Sequence, residues 1–177
     1  MDPTVDATLR AAFALLFLVA ASHKLRDFVR FRTTLGDYRL LPAAVVPLAA
    51  FVVIGVEIAV GLALLASARA TGPVAAAALL NLYGVAIAVN LARGRRHLDC
   101  GCAGPAVRRT ISGWLVVRNL GLAATALLGL APLRPRPLVW VDAVTVVAAT
   151  ATLAALYASL DGLLAHAPAL ARLRGET

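Results

Sequence analysis

Charge is what this chain of 177 residues has least of. Only 15% of its residues are Asp, Glu, Lys or Arg, against about 25% in an ordinary soluble domain. That scarcity, together with 61% hydrophobic residues, excludes a disordered tail or a highly charged coiled coil. Lysine occurs once, as Lys24, among 17 basic residues, so its position is conspicuous. Cysteine occurs twice, at Cys100 and Cys102, which excludes the disulfide scaffold of small secreted domains. Met1–Arg10 carries two acids and one base, the wrong start for a cleaved leader. No repeat or low-complexity block stands out, so residues 1–177 read as one domain.

What the chain does have is apolar surface. Hydrophobic residues make up 61% of it against about 45–50% in soluble domains, and the mean hydropathy is +0.85. A chain this short cannot hide so much apolar surface in one water-soluble core. Its natural solvent is lipid. The formal charge of +8 would suggest nucleic acid in a soluble protein. Here the bases flank apolar runs, where they set topology and meet anionic headgroups, so no nucleic-acid partner is expected.

A membrane-spanning helix needs about 20 mostly apolar residues. Leu40–Ala66 holds a single charge, Glu57, and Ala70–Ala92 holds none. Thr110–Leu133 is interrupted by Arg118, and Leu138–Leu160 by Asp142. A further stretch, Ala11–Ser22, is short; it spans if its helix runs from about Thr8 to Phe28, with Arg10 at one interface and His23, Lys24 and Arg26 at the other. The expected fold is all-α, an integral membrane helical bundle of four to five transmembrane helices, with spans near 8–28, 43–66, 72–92, 112–131 and 138–160. Pro42, Pro47, Gly72-Pro73 and the Pro132–Pro137 segment punctuate them. Small residues at helical spacing, Gly55/Ala59/Ala63 and Gly121/Thr125/Gly129, predict faces for close helix packing.

Five spans divide the bases unequally. One face collects Lys24, Arg26, Arg30, Arg32, Arg39, Arg93, Arg95, Arg96, Arg108, Arg109, Arg172 and Arg174; the other has Arg10, Arg69, Arg134 and Arg136. The excess of positive charge places the first face in the cytoplasm of a multi-pass plasma-membrane protein.

The densest chemistry lies on that face, in Arg93-Gly94-Arg95-Arg96-His97-Leu98-Asp99-Cys100-Gly101-Cys102-Ala103-Gly104-Pro105. Two thiols with one glycine between them are close enough to form a small-ring disulfide, and such a ring is strained and readily reduced. Nearby arginines favour the thiolate. Two other readings stand beside this one: idle thiols in a loop, and a soft-metal site with His97 added to Cys100 and Cys102. Glu57, near the middle of its span, must be protonated, paired or turned to a polar cavity. Lys24 is the tempting partner but lies nearer the basic face, so contact requires a deep first helix or an inward fold of Phe28–Leu41. Arg118-Asn119, Asn90, Tyr157 and Asp161 converge on the same end of the bundle; for Arg118 the plain alternatives are snorkelling or pairing with Asp161.

These residues resemble the MauE family of methylamine-utilisation proteins, within the wider DoxX-like membrane proteins. The matching pieces are Ser22-His23-Lys24, Tyr38 through Leu41-Pro42, Glu57, Arg93-Gly94-Arg95, Asp99-Cys100-Gly101-Cys102 with Gly104, and Trp114 followed by Arg118-Asn119. They cover roughly residues 13–130. Ala103 departs from the aromatic residue expected there. The resemblance implies a helical bundle that assists maturation of a partner, in particular disulfide formation in the small subunit of methylamine dehydrogenase. Cys100 and Cys102 would then be the redox pair, with Lys24, Glu57 and Arg118 as supporting polar groups. It also implies cysteines facing outward, opposite to the charge count.

The leading expectation is a thiol-disulfide oxidoreductase that exchanges with a thioredoxin-like protein or a client protein. No cofactor is demanded by any residue pattern; a lipid-soluble quinone held between the helices is one acceptor for the electrons. The competing expectations are a non-catalytic scaffold subunit of a redox complex, and a metal or small-solute carrier using Glu57 and the Cys loop. Replacing both cysteines separates the first two.

Overall fold

The computed structural model describes residues 1–66, 70–100, 110–134 and 136–173, with backbone alone at 161 and from 164 onward. Among them the fold is all-α, and five helices are long and apolar enough to cross a membrane: Pro3–Arg26, Ala43–Leu65, Thr71–Ala92, Gly113–Leu130 and Trp140–Leu160. The chain is a multi-pass membrane protein.

The first span, α1 (Pro3–Arg26), begins earlier than its charge-free stretch suggests. Asp2 caps it by accepting from the Thr4 amide at 2.8 Å, and Pro3 brings a preset φ to the first turn. Asp6 and Arg10 then belong to the first two turns of the helix, both buried against the protein and joined at 2.8 Å. Asp27 ends α1 and starts α2 (Phe28–Asp37): its amide donates to the His23 carbonyl, and its carboxylate accepts from the Arg30 amide at 3.2 Å. The segment 28–41 is therefore not a simple connection but carries a short amphipathic helix, whose Phe28 stacks on Phe51 with centroids 4.4 Å apart.

The remaining helices are α3 (Val46–Leu65, preceded by a 3-10 turn at Ala43–Val45), α4 (Thr71–Ala92), α5 (Gly113–Leu127, extended by Leu128–Leu130) and α6 (Trp140–Leu173). In the bundle α1 packs on α3, α3 on α4 and α4 on α5, while α6 lies outside against α1. The core joins Phe13, Ala14 and Phe17 of α1 with Val60 and Leu64 of α3, Ala76 and Leu80 of α4, and Ala123 of α5.

The packing face of α3 is not the expected one. Gly55 and Ala59 are exposed, and a side chain at 55 would meet nothing within 4 Å. The close approach is at Gly61, where an added Cβ would lie 2.8 Å from Leu18 of α1. Burial of Glu57 fixes the rotation: Ala50, Ile54, Glu57, Gly61 and Leu64 share one inward face, which turns the Gly55 face to lipid. On α5 the expectation fails at Gly121, which also meets nothing, and holds at Gly129, where a Cβ would stand 2.9 Å from Pro73.

Candidate functional site

The inward face of α3 carries Glu57 into a fully buried position. Its Oε1 accepts from Lys24 Nζ of α1 at 2.5 Å and from the Tyr83 hydroxyl of α4 at 2.7 Å. Three helices are thus joined at one carboxylate oxygen. Glu57 Oε2, equally buried, has no hydrogen-bond partner among the described residues. Lys24, only 5% exposed, lies 5.4 Å from the Phe31 ring centroid and 5.6 Å from that of Tyr83. Aromatic faces at such distances attract an ammonium and replace part of its lost hydration. The obstacle to a Lys24–Glu57 contact disappears because α2 folds over the end of α1 and supplies Phe31.

Beside this cluster is an open cleft of about 90 Å³, walled by Lys24, Phe31, Tyr38, Tyr83, Ile87 and Cys100 among others. Cys100 reaches it because the ends of its loop are held together. The Ile111 amide donates to the Leu98 carbonyl at 2.9 Å, and Asp99 pairs antiparallel with Thr110. Leu98 and Ile111 are buried with Tyr38, Ile87 and Leu115, and Cys100 packs on this group. Arg30 of α2 reaches Asp99 at 2.8 Å, tying the neck of the loop to the helix that roofs the cleft. Arg93 and Arg95 donate to the carbonyls of Arg39 and Asp37, so two bases of the basic face hold backbone. Gly94, at φ +74°, makes the turn out of α4 that this arrangement needs.

Of the expected site residues, Lys24 and Cys100 line the cleft together, and Glu57 lies behind it, bonded to Lys24. Cys102 lies outside the described residues, as do Gly101 and Gly104. His97 is exposed, while Cys100 is half-buried. Arg118 stands apart from the ion pair on α5, its guanidinium 5.8 Å from the Tyr157 ring of α6; the side chain of Asp161 is outside the described set. Asn90 and Asn119 are buried, each donating to the carbonyl four residues back in its own helix. Sequence reasoning missed Tyr83 and Phe31, and named Tyr38 only as part of the family resemblance. A phenol in mid-span needs a polar partner, and Tyr83 in a span without charge was the available signal.

Five spans, a buried ion pair and a cysteine loop closed at its neck define a polytopic helical membrane protein with a polar interior at one end. Residues 2–132 match the family described as Methylamine utilisation protein MauE, and the chain belongs to that family. It is 39% identical over 171 residues to the methylamine utilization protein MauE of Paracoccus denitrificans, covering 94% of this chain and 92% of that one. The corresponding protein of Paracoccus versutus is 39% identical over 99% of this chain and 97% of its own. That of Methylorubrum extorquens is 40% identical over 76% and 72%. No solved structure matches the chain.

Proposed function

We propose that this protein serves methylamine utilisation as a plasma-membrane thiol–disulfide protein, with Cys100 and Cys102 as its redox pair. In its oxidised state the pair accepts two electrons and two protons from a client dithiol: the client forms its S–S bond, and the bond between Cys100 and Cys102 breaks. A thioredoxin-like protein or the client itself is the partner. Lys24 supports the pair through the cleft it shares with Cys100, Glu57 holds Lys24 from behind the cleft wall, and Arg118 steadies α5 against α6.

The observation that carries this reading is the placement of Cys100. A thiol without a task has no need of a loop neck fixed by the Leu98–Ile111 hydrogen bond and the Arg30–Asp99 ion pair. Nor does it need a seat on the wall of a cleft beside a buried ammonium. The family name supports the methylamine context, since the relatives are named for methylamine utilisation.

The test is Cys100→Ser/Cys102→Ser in a host that depends on this protein for growth on methylamine. Loss of growth with normal membrane accumulation supports the thiol role. Normal growth contradicts it and leaves a scaffold, whose task the Lys24–Glu57–Tyr83 junction alone would perform.

A further inference from the structure

The cleft beside Cys100 is built for something other than a protein thiol. Its walls are the rings of Phe31, Tyr38 and Tyr83, the aliphatic Ile87 and its neighbours, the Lys24 side chain and the Cys100 side chain. No carboxylate is among the described residues that line it, and the one charged group there, Lys24, is itself a cation that disfavours a second one. Glu57 stands behind the wall, where its carboxylate accepts hydrogen bonds from the Tyr83 hydroxyl and from one of the three N–H bonds of Lys24. Two ammonium N–H bonds remain as donors at the edge of an apolar, aromatic space. Sites of this composition accept flat, apolar molecules and fix their orientation with one or two polar contacts. The volume sets a further limit. A benzene ring is fully enclosed by a cavity of about 150 Å³, so a cleft of about 90 Å³ that is open on one side takes one edge of a ring and leaves the rest outside.

From this geometry we infer that the cleft between α1, α2, α3 and α4 binds the head of a lipid-soluble quinone, with Lys24 donating to a ring carbonyl and Cys100 in the adjoining wall. The inference rests on the thiol reading above and gives it an electron acceptor. When the pair is reoxidised, both S–H bonds break and one S–S bond forms between Cys100 and Cys102. The two electrons and two protons pass to the two carbonyl oxygens, converting quinone to quinol. Lys24 favours this direction because negative charge grows on the oxygen it faces, and Glu57 holds the ammonium in place without itself entering the cleft. This also accounts for the burial of an ion pair whose desolvation is costly.

The test uses the full-length protein in lipid nanodiscs with ubiquinone-1, a short-chain benzoquinone, as probe. Binding is measured on Cys100→Ser/Cys102→Ser protein, in which no thiol can react. Saturable binding of one probe per chain is expected. Adding Ala86→Phe, which fills the cleft while leaving Lys24 and Glu57 unsubstituted, should weaken it at least tenfold, whereas Val85→Phe on the exposed side of α4 should leave it unchanged. The carbonyl stretch of the bound probe should fall in frequency and return toward its free position in Lys24→Gln/Glu57→Gln. Unsaturable partitioning that is the same in the Ala86→Phe protein would overturn the inference and make the cleft a seat for an acyl chain. A thiol titration of the unsubstituted protein with dithiothreitol separates the two readings. Thiols that titrate without saturable quinone binding sink this inference alone. Saturable binding beside inert thiols keeps the site and sinks the redox reading.

Discussion

Where α1 begins, Arg136 bonds Asp2 and Asp142 at 2.8–2.9 Å, and Thr4 donates to Asp142, all at the margin of the bundle. Where α1 stops, Lys24 meets Glu57 in full burial. The first network is redundant, since each carboxylate has several donors, and it pins α6 and the connection before it to the start of α1. The second is spare. One oxygen of Glu57 takes both donors, while the other has no partner among the described residues. Exposed pairs are screened and contribute little; buried pairs cost much to form and more to break. A network that serves only to hold helices together is best built like the first. The second has the economy of a site, with its ammonium in the wall of a cleft that Cys100 also lines.

The largest expected effect comes from breaking the buried pair on one side. Lys24→Met leaves a carboxylate without its cation in the membrane interior, a change that costs about 3–5 kcal/mol in comparable buried pairs. Accumulation in the membrane, read by immunoblot, should fall severely. Glu57→Lys, which sets two ammonium groups together, should be at least as damaging. Glu57→Gln keeps the shape and one hydrogen-bond acceptor, and should accumulate far better than Glu57→Lys. Equal behaviour of the two substitutions would erase the distinction between the two ends of the bundle.

A middle effect is expected at the neck of the loop. Arg30→Ala removes the tie between α2 and Asp99 without touching Lys24 or Glu57. Accumulation should be normal, while the alkylation rate of Cys100 in Cys102→Ser protein should change several-fold. An unchanged rate would mean that the neck does not control the thiol.

The smallest effect belongs to the exposed network. Hydrogen bonds from Arg136 hold the Asp2 carboxyl down to about 2 from its ordinary 3.8. A carboxylate with a lowered folded pKa contributes stability that is present above about pH 4 and fades as the pH falls toward 2. Arg136→Ala should therefore lower the thermal midpoint slightly at neutral pH, and less so in high salt. The difference from the unsubstituted protein should shrink as the solution is acidified through that window. A difference that is constant with pH would remove Asp2 from the account.

The bundle was legible because lipid imposes a simple rule: about 20 apolar residues per span, with charges at the ends. Four spans followed from that rule directly. The first was harder because Asp6 and Arg10 sit inside α1 and neutralise each other, a pairing that hydropathy reads as an interruption. The candidate site was legible in its charged members, because Glu57 and Lys24 are rare residue types in such a chain. Their contact was not, since it depends on α2 folding over the end of α1, a tertiary fact that no local pattern encodes. The same holds for Gly61: alanine is so abundant that small-residue spacing marks several faces of α3, and only burial of Glu57 selects among them.

Orientation offers a test independent of all these substitutions. The excess of bases on the Cys face predicts that Cys100 faces the cytoplasm. A membrane-impermeant thiol reagent should then label it only after cells are permeabilised. Labelling of intact, mildly reduced cells would reverse the topology and favour an exported client.

The central claim, that Cys100 and Cys102 cycle between dithiol and disulfide, is tested most directly by redox titration of the purified protein, with alkylated and unalkylated thiols resolved by intact mass. One reversible two-electron transition within the chain is expected, at a potential more oxidising than the roughly −300 mV below which structural disulfides lie. Two thiols that stay reduced across the whole accessible range, with or without tight binding of zinc or copper(I), would contradict it.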